Sequence, residues 1–590
     1  DILGRPSTVD APGAVSLAFG YDGSLPTDVT WSGPISGTVH VAFDNDFRLA
    51  SESVNGEPAV LAHYDDDGLA TSVGALAIAR DPQTGRVKQT TIGSITEAYS
   101  FNDLGELSSS TAICGTTTLR TVTLARDAAG VITGKDESIL GQTTSLTYDH
   151  DAKSRLTAVR GTGSSSTYTY DDNGNRRTAA RPDLVSYSYD AQDRLTQHGN
   201  VAYAYTGSGQ LQTRTDPAGT TSYHYDLLGN LRSVQLPDAR NVAYLIDGLN
   251  RRIGKLVDNT LVQGFLYDGA TGVVAELDGT GAVVSRFVYG MRSHVPDYLV
   301  KGGATYRIVT DAVGSPRLVV DVATCQVVQQ IDYDEFGRVI ADTNPGFQPF
   351  GFAGGLRDLD TGLLRFGARD YDPDIGRWTA KDPLGFAGGD ANLYVYAANN
   401  PINFIDPAGL SFLQGLTDFS AGFGDFATFG LTRWVRKKLG VNDVVNPCSG
   451  LYTAGGITSI VVTTLATAGL GAGAGAAESG ETVLYRLVTE AEPEANFLSN
   501  AAKGLAPRGP EVMNSVIHEG LSMFDSLARA AAKVPVLERG GKAVLGIAEV
   551  RIPAGAADVA VAKTLGAGHF TVTGAPSAVQ SYWKLSWINW

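Results

Sequence analysis

Two short elements in this 590-residue chain place acid–base residues in turn sequences: Asp382-Pro383-Leu384-Gly385 and Asp406-Pro407-Ala408-Gly409. Aspartate can give or take a proton in catalysis. Asp-Pro followed by Gly is first of all a turn former, however, and on residue type alone both elements read as Asp-Pro turns. A second set of polar residues lies near the end: Arg486, His518, Glu519, Ser522, Glu549 and His569. His518 and His569 could serve as general base and acid of a metal-independent nuclease. Each residue also has a plainer reading, as a strand-end arginine in an ion pair, a helix-capping serine or turn histidines. Cys114, Cys325 and Cys448 are widely spaced and odd in number, so neither a disulfide framework nor a zinc site is expected, and no metal ligands are assigned.

The elements that must position these residues are β-strands. The chain has 70 Gly and 24 Tyr with only 18% charged residues, and its Gly follows no collagen-like period, which is the composition of a turn-dense, aromatic β-protein. One unit recurs: alternating aromatics ending in Tyr-Asp, a Gly or Asn turn, then Arg-Leu or a similar pair. It reads LTYDHDAKSRL at 146–156, YTYDDNGNR at 168–176, YSYDAQDRL at 187–195, YAYTGSGQL at 203–211, YHYDLLGNL at 223–231 and IDYDEFGRV at 331–339. Weaker copies, HYDDDGLA at 63–70 and YSFNDLGEL at 99–107, extend it toward the start. Each copy predicts strand–turn–strand, with Tyr148, Tyr170, Tyr189, Tyr205 and Tyr225 packing on neighbouring repeats and the following residue, usually Asp, closing the turn. A hairpin cannot bury its apolar face alone, whereas stacked hairpins can.

These repeats resemble the Tyr-Asp repeats of the Rhs family, shared with the C components of insecticidal toxin complexes and with teneurins. Residues 349–410 carry a more specific likeness, to the Rhs repeat-associated core: Asp360-Thr361-Gly362-Leu363, Arg369-Asp370-Tyr371-Asp372-Pro373, Gly376-Arg377-Trp378, Asp382-Pro383-Leu384-Gly385, Asn392 to Tyr396, and a terminal Asp406-Pro407-Ala408-Gly409-Leu410. The resemblance implies a mainly β protein. Residues 1–348 form a spiralled β-sheet shell or cocoon, residues 349–410 plug it, 411–480 are a linker or pre-toxin region, and 481–590 are a small α+β toxin held inside as cargo. It further implies that Asp382 and Asp406 act as an aspartic-protease-like pair cutting Leu410–Ser411, without cofactor. In such a pair two close carboxylates share one proton; the ionised one deprotonates water while the other polarises the Leu410 carbonyl. Lys381 stands where relatives often carry Arg or a small polar residue, and Arg377 or Arg369 could substitute as the cation. A cognate immunity protein, a secretion-system component and delivery into a target-cell cytoplasm are implied as well. The alternative is a non-enzymatic, teneurin-like surface protein, which would not need a compositionally distinct tail behind a complete core.

Charge separates the two parts. Residues 1–410 hold 32 Lys and Arg against 48 Asp and Glu, and 411–590 hold 14 against 14. The acidic excess argues against nucleic-acid binding by the shell. The chain opens without Met or a basic-then-apolar leader, which reads as a fragment or processed product. Residues 444–477 carry no charge and admit a bilayer span or, better, a Gly-rich linker. Beyond them, TVLYRLV (482–488), AVLGIAEVRIP (543–553) and HFTVTG (569–574) predict strands, while NFLSNAAKG and HEGLSMFDSLARAAAKV predict helix. In order, Arg486, Ser522 and Glu549 resemble an ADP-ribosyltransferase site: an arginine for the NAD pyrophosphate, a bracing serine, and a glutamate for the oxocarbenium-like ribose.

Overall fold

In the computed structural model, residues 5–161, 164–410 and five strands of the tail are described. The chain separates into two compact units, Asp1–Gly469 and Leu470–Trp590.

The first unit is dominated by a 33-stranded antiparallel sheet running from Thr8–Ala11 to Val339–Asp342, in which every strand pairs with its neighbours in sequence. The ribbon returns on itself. Val15, Leu17, Trp31 and Val54 share a core with Phe265, Leu277, Phe287 and Val319, and Leu76, Ile92 and Ile95 share one with Tyr298, Val309 and Leu318.

The repeat chemistry is visible turn by turn. Asp190 accepts the N–H groups of Gln192 (2.9 Å) and Arg194 (3.1 Å) on Oδ1, while Arg194 Nε donates to Oδ2 (2.6 Å). The fourth turn residue takes a left-handed conformation, as Gly, Asn, Asp or Ser: Gly174 (φ +81), Asp193 (φ +60), Asn250 (φ +64). Two of the expected Tyr then stitch repeats together by donating a hydroxyl to a carbonyl beyond the previous turn, Tyr170 to Leu156 (2.8 Å) and Tyr189 to Arg176 (2.9 Å), and Tyr267, which the sequence reading did not name, does the same to Arg252 (2.6 Å). Arg155 also lies over the Tyr170 ring, 4.8 Å from its centroid.

One repeat is out of phase with the sequence reading. Between 146 and 156 the turn is closed by Asp151, which accepts from Lys153 N (2.9 Å) and Arg155 N (3.0 Å), and not by Asp149. The register shift falls between Asp149 and His150, so His150 holds the stitching position and Tyr148 lies two residues before it in the core.

A second correction concerns the cysteines. Cys114 and Cys325 form a disulfide, Cα–Cα 5.8 Å, across 211 residues. It joins the end of Leu107–Cys114 to the turn after Pro316–Asp321, where the Ile92–Ile95 hairpin also arrives, with Ser94 N donating to the Val322 carbonyl (3.3 Å). Only the return of the ribbon brings the two together.

The last described part of the unit is a small four-stranded sheet, Leu356–Arg357, Leu364–Phe366, Arg369–Asp372 and Arg377–Trp378, followed to residue 410 by turns and loops. It sits on a succession of repeat turns. At five of these turns the carbonyl three residues past the turn-closing residue accepts a hydrogen bond from this segment: Ser154 from Asn400 (2.8 Å), Gly174 from Asn399 (2.9 Å), Asp193 from Arg377 (2.8 Å), Gly209 from Tyr394 (2.7 Å) and Asn250 from Arg365 (3.4 Å).

In the second unit the described residues form a five-stranded antiparallel sheet in the order Val544–Pro553, Glu481–Thr489, Leu521–Phe524, His569–Gly574, Val559–Lys563. The three strands expected from sequence are present. Leu521–Phe524 lies inside a segment expected to contain helix and is a strand, paired in register with His569–Gly574; the rest of that segment lies outside the described residues. The uncharged 444–477 segment and NFLSNAAKG lie outside the described residues. Among the described residues no helix is long and apolar enough to cross a membrane.

Candidate active site

The strand Arg369–Asp372 supplies the centre of the site. The hairpin turn before it is locked to the end of the segment: Ala368 N donates to the Ala408 carbonyl (2.9 Å) and Arg369 Nε to the Gly409 carbonyl (2.6 Å). The Arg369 guanidinium lies over the buried Trp378 ring, 4.2 Å from its centroid, on a cluster with Phe366, Tyr371 and Tyr396. Weakly hydrated and planar, a guanidinium tolerates such a place better than an ammonium.

Arg369 Nη2 contacts Asp382 Oδ2 at 2.8 Å and Asp406 Oδ2 at 2.9 Å. The carboxylates of the two Asp-Pro turns therefore share one nitrogen and stand no farther apart than two hydrogen-bond lengths. Asp382 is held by its own turn, Leu384 N donating to Oδ1 (2.8 Å), and by Asp382 N donating to the Leu393 carbonyl (3.0 Å). Asp406 accepts from Leu410 N on Oδ1 (3.2 Å), and its carbonyl accepts from Gly409 N (3.2 Å). The backbone at Leu410 is thus one hydrogen bond from one carboxylate and one residue from a carbonyl held by the arginine.

Burial pushes Asp382 up to about 6, opposed by Arg369 and the Leu384 N–H and reinforced by Asp406. Asp406 is raised for the same first reason, burial, against the pull of Arg369 and of the Leu410 and Gly409 N–H groups. Two raised carboxyls around one fixed cation can keep a proton near neutrality, which is what acid–base chemistry on a peptide carbonyl needs.

Asp382, Asp406 and Leu410 are therefore brought together, while Ser411 lies outside the described residues. Of the cations offered by the sequence, Arg369 takes the bridging place. Arg377 is spent on the repeats, 4.8 Å from the Tyr189 ring centroid and 3.1 Å from Asn175 Oδ1, and the Lys381 chain lies beside Gly209. Sequence reasoning did not assign Gly388, Gly409, Trp378 or Leu393 to the site, although Trp378, Leu393 and Gly409 lie in the quoted core motifs and Gly388 opens the Gly-Gly pair after Asp382. Among the described residues no cluster of metal-binding side chains occurs. In the tail, Arg486 pairs with Ala548, Glu549 with Tyr485 and Ser522 with Thr571, on three strands of one sheet. His518 and Glu519 lie outside the described residues, whereas His569 begins a strand.

The chain is similar to several known proteins. It is 31% identical to Teneurin-3 of Danio rerio over 309 residues, 48% of this chain and 11% of that protein. It is 28% identical to Teneurin-4 of Homo sapiens over 398 residues, 63% and 14% respectively. It is 31% identical over 303 residues to double-stranded DNA deaminase toxin A of Burkholderia cenocepacia (strain H111), 49% and 20%. The chain thus spans a fifth or less of the length of these relatives. Among solved structures, the crystal structure of TcdB2-TccC3 superposes with a TM-score of 0.48 at 16% identity, covering 70% of this chain and 28% of that one. Residues 8–402 match the Teneurin YD-shell family, and they include the whole repeat ribbon and all but the last residues of the segment seated on its turns. On that match the chain belongs to the Teneurin YD-shell family.

Proposed function

We propose that residues 1–348 are the shell of an Rhs-type toxin and 349–410 its core, which together enclose the C-terminal segment and free it by aspartic self-cleavage at Leu410–Ser411. The observation that carries this reading is the single Arg369 nitrogen shared by Asp382 and Asp406 beside the Gly409–Leu410 backbone. One carboxylate takes a proton from water as the water oxygen bonds to the Leu410 carbonyl carbon, and the protonated partner donates to the carbonyl oxygen. Collapse of the tetrahedral adduct breaks the C–N bond and moves a proton to the departing Ser411 amine. The products are a Leu410 carboxylate and a new N-terminus at Ser411, and no cofactor takes part. A relative 31% identical over 49% of this chain and named as a toxin supports the class. An immunity protein, a secretion-system component and delivery into a target cell belong to the same reading.

Containment is tested by size exclusion without denaturant. The two fragments should co-elute although the peptide bond is cut, and prompt separation would argue against an enclosed cargo.

The chemistry of the cargo is a separate proposal: an NAD-dependent ADP-ribosyltransferase-like enzyme using Arg486 for the pyrophosphate, Ser522 as brace and Glu549 for the ribosyl cation. Their placement on three strands of one sheet supports it, and the one-place offset in register between Arg486 and Glu549 weighs against it. Incubating the chain with labelled NAD and a bacterial lysate decides; no label transfer and no nicotinamide release, from a chain that still kills cells, favours the His518 and His569 nuclease reading.

A further inference from the structure

The turn Gly385–Gly388 begins three residues after Asp382 and forms the surface layer beside it, Phe386 being 76% exposed while Gly388 is buried. A β-carbon at Gly388 would stand 2.6 Å from Asp382 Oδ2 and 2.8 Å from its Cγ, closer than side-chain carbons approach such atoms. Asp382 cannot step aside. Its Oδ2 lies on Arg369 Nη2 (2.8 Å), its Oδ1 on Leu384 N (2.8 Å), and its main chain on Leu393 (3.0 Å). Arg369 is fixed in turn by Asp406, the Gly409 carbonyl and Trp378. Gly388 is absent from the left-handed positions, so space and not backbone strain excludes a side chain there.

We propose that Gly388 is a positioning residue for the self-cleavage: its bare backbone roofs the Asp382 carboxylate, keeping it dry and seated on Arg369 in reach of Asp406. The proposal rests on the self-cleavage reading above. The roof acts through Asp382, whose facing charges are Arg369 and Asp406. Displacing a reacting group by about 1 Å costs on the order of 10²-fold in rate.

The test is pulse-labelled synthesis of the full chain, timing the fragment that begins at Ser411. Gly388→Ala should slow its appearance by about 10²-fold. Gly362→Ala, at a left-handed glycine (φ +74) with nothing within 4 Å, should cleave at the wild-type rate. Because water admitted by the opened roof relieves the burial of Asp382, the limb of the pH–rate profile set by that residue should also move to lower pH in Gly388→Ala. Thermal midpoints in two uncleaved backgrounds supply a readout independent of cleavage: Gly388→Ala should lower the midpoint in Asp406→Asn, which retains Asp382, and its cost should vanish in Asp382→Ala, including rescue of a variant that otherwise fails to fold. Wild-type cleavage and pH profile in Gly388→Ala, or an equal stability cost with and without Asp382, would overturn the proposal. Asp382→Asn separates the two levels: if it cleaves like wild type, the self-cleavage reading itself fails; if it is inactive while Gly388→Ala is normal, only the roof is wrong.

Discussion

Arg369 donates from Nε to the carbonyl of Gly409 at 2.6 Å, so the guanidinium that bridges two carboxylates also holds the backbone one residue before Leu410. With the Leu393 carbonyl on Nη1 (3.4 Å), four acceptors in fixed directions need the planar fork of arginine. Arg369→Lys keeps the cation and loses the fork, and should slow release of the Ser411 fragment by about 10²-fold or more. Densitometry of pulse-labelled chain checks this; wild-type kinetics in Arg369→Lys would mean that charge alone suffices.

The pair should also leave a signature in the pH dependence of stability. Asp382 is raised to about 6 in the folded chain, above the unfolded carboxylate range. Its contribution is therefore fully present below about pH 4, and is lost as pH climbs through about 6. Two uncleaved chains isolate it: Asp406→Asn, which retains Asp382, and the double variant Asp382→Asn/Asp406→Asn. Because Asp406 is one of the groups that raise Asp382, its removal moves the loss to lower pH, and the thermal midpoint of the first should fall relative to the second as pH rises above about 4. A constant difference would show that Asp382 is not buried in this way.

The corrected repeat phase makes a sharp contrast. Asp151 accepts two backbone N–H groups and Arg155 Nε (2.7 Å), while Asp149 only pairs with Arg160, both largely exposed. In the uncleaved Asp382→Asn chain, Asp151→Ala should cost about 1–3 kcal/mol, and Asp149→Ala no more than about 0.5 kcal/mol. Urea unfolding midpoints measure both, and the reverse ranking would restore Asp149 as the turn residue.

The Cys114–Cys325 crosslink closes a long loop, and in the chain-entropy account removing it should cost about 5 kcal/mol. Cys114→Ser should lower the thermal midpoint and abolish the mobility difference between reduced and non-reduced chains on a denaturing gel. An unchanged mobility on reduction of the wild-type chain would show that the bond does not form.

The repeats are legible in the sequence because a Tyr-Asp turn is local: the aspartate caps N–H groups two and four residues on, and the strands beside it alternate by two. The phase at 146–156 is not, since LTYDHD offers two aspartates and only the register shift at His150 distinguishes them. The pairing of Cys114 with Cys325, and of Asn400 with Ser154, depends on where the ribbon returns, which no local pattern encodes. At the site the two aspartates come through the likeness of residues 349–410 to a known core. Sequence alone does not choose Arg369 over Arg377 and Lys381, because all three are near in the chain and only the fold of Arg369–Asp372 against Gly409 selects among them.

The most direct measurement is the intact mass and N-terminal sequence of the polypeptides obtained from the wild-type chain and from Asp382→Asn and Asp406→Asn. The shared-arginine pair predicts two polypeptides from wild type, the smaller beginning at Ser411, and one intact chain from each variant. Cleavage at Ser411 in both variants, or an intact wild-type chain, would contradict it.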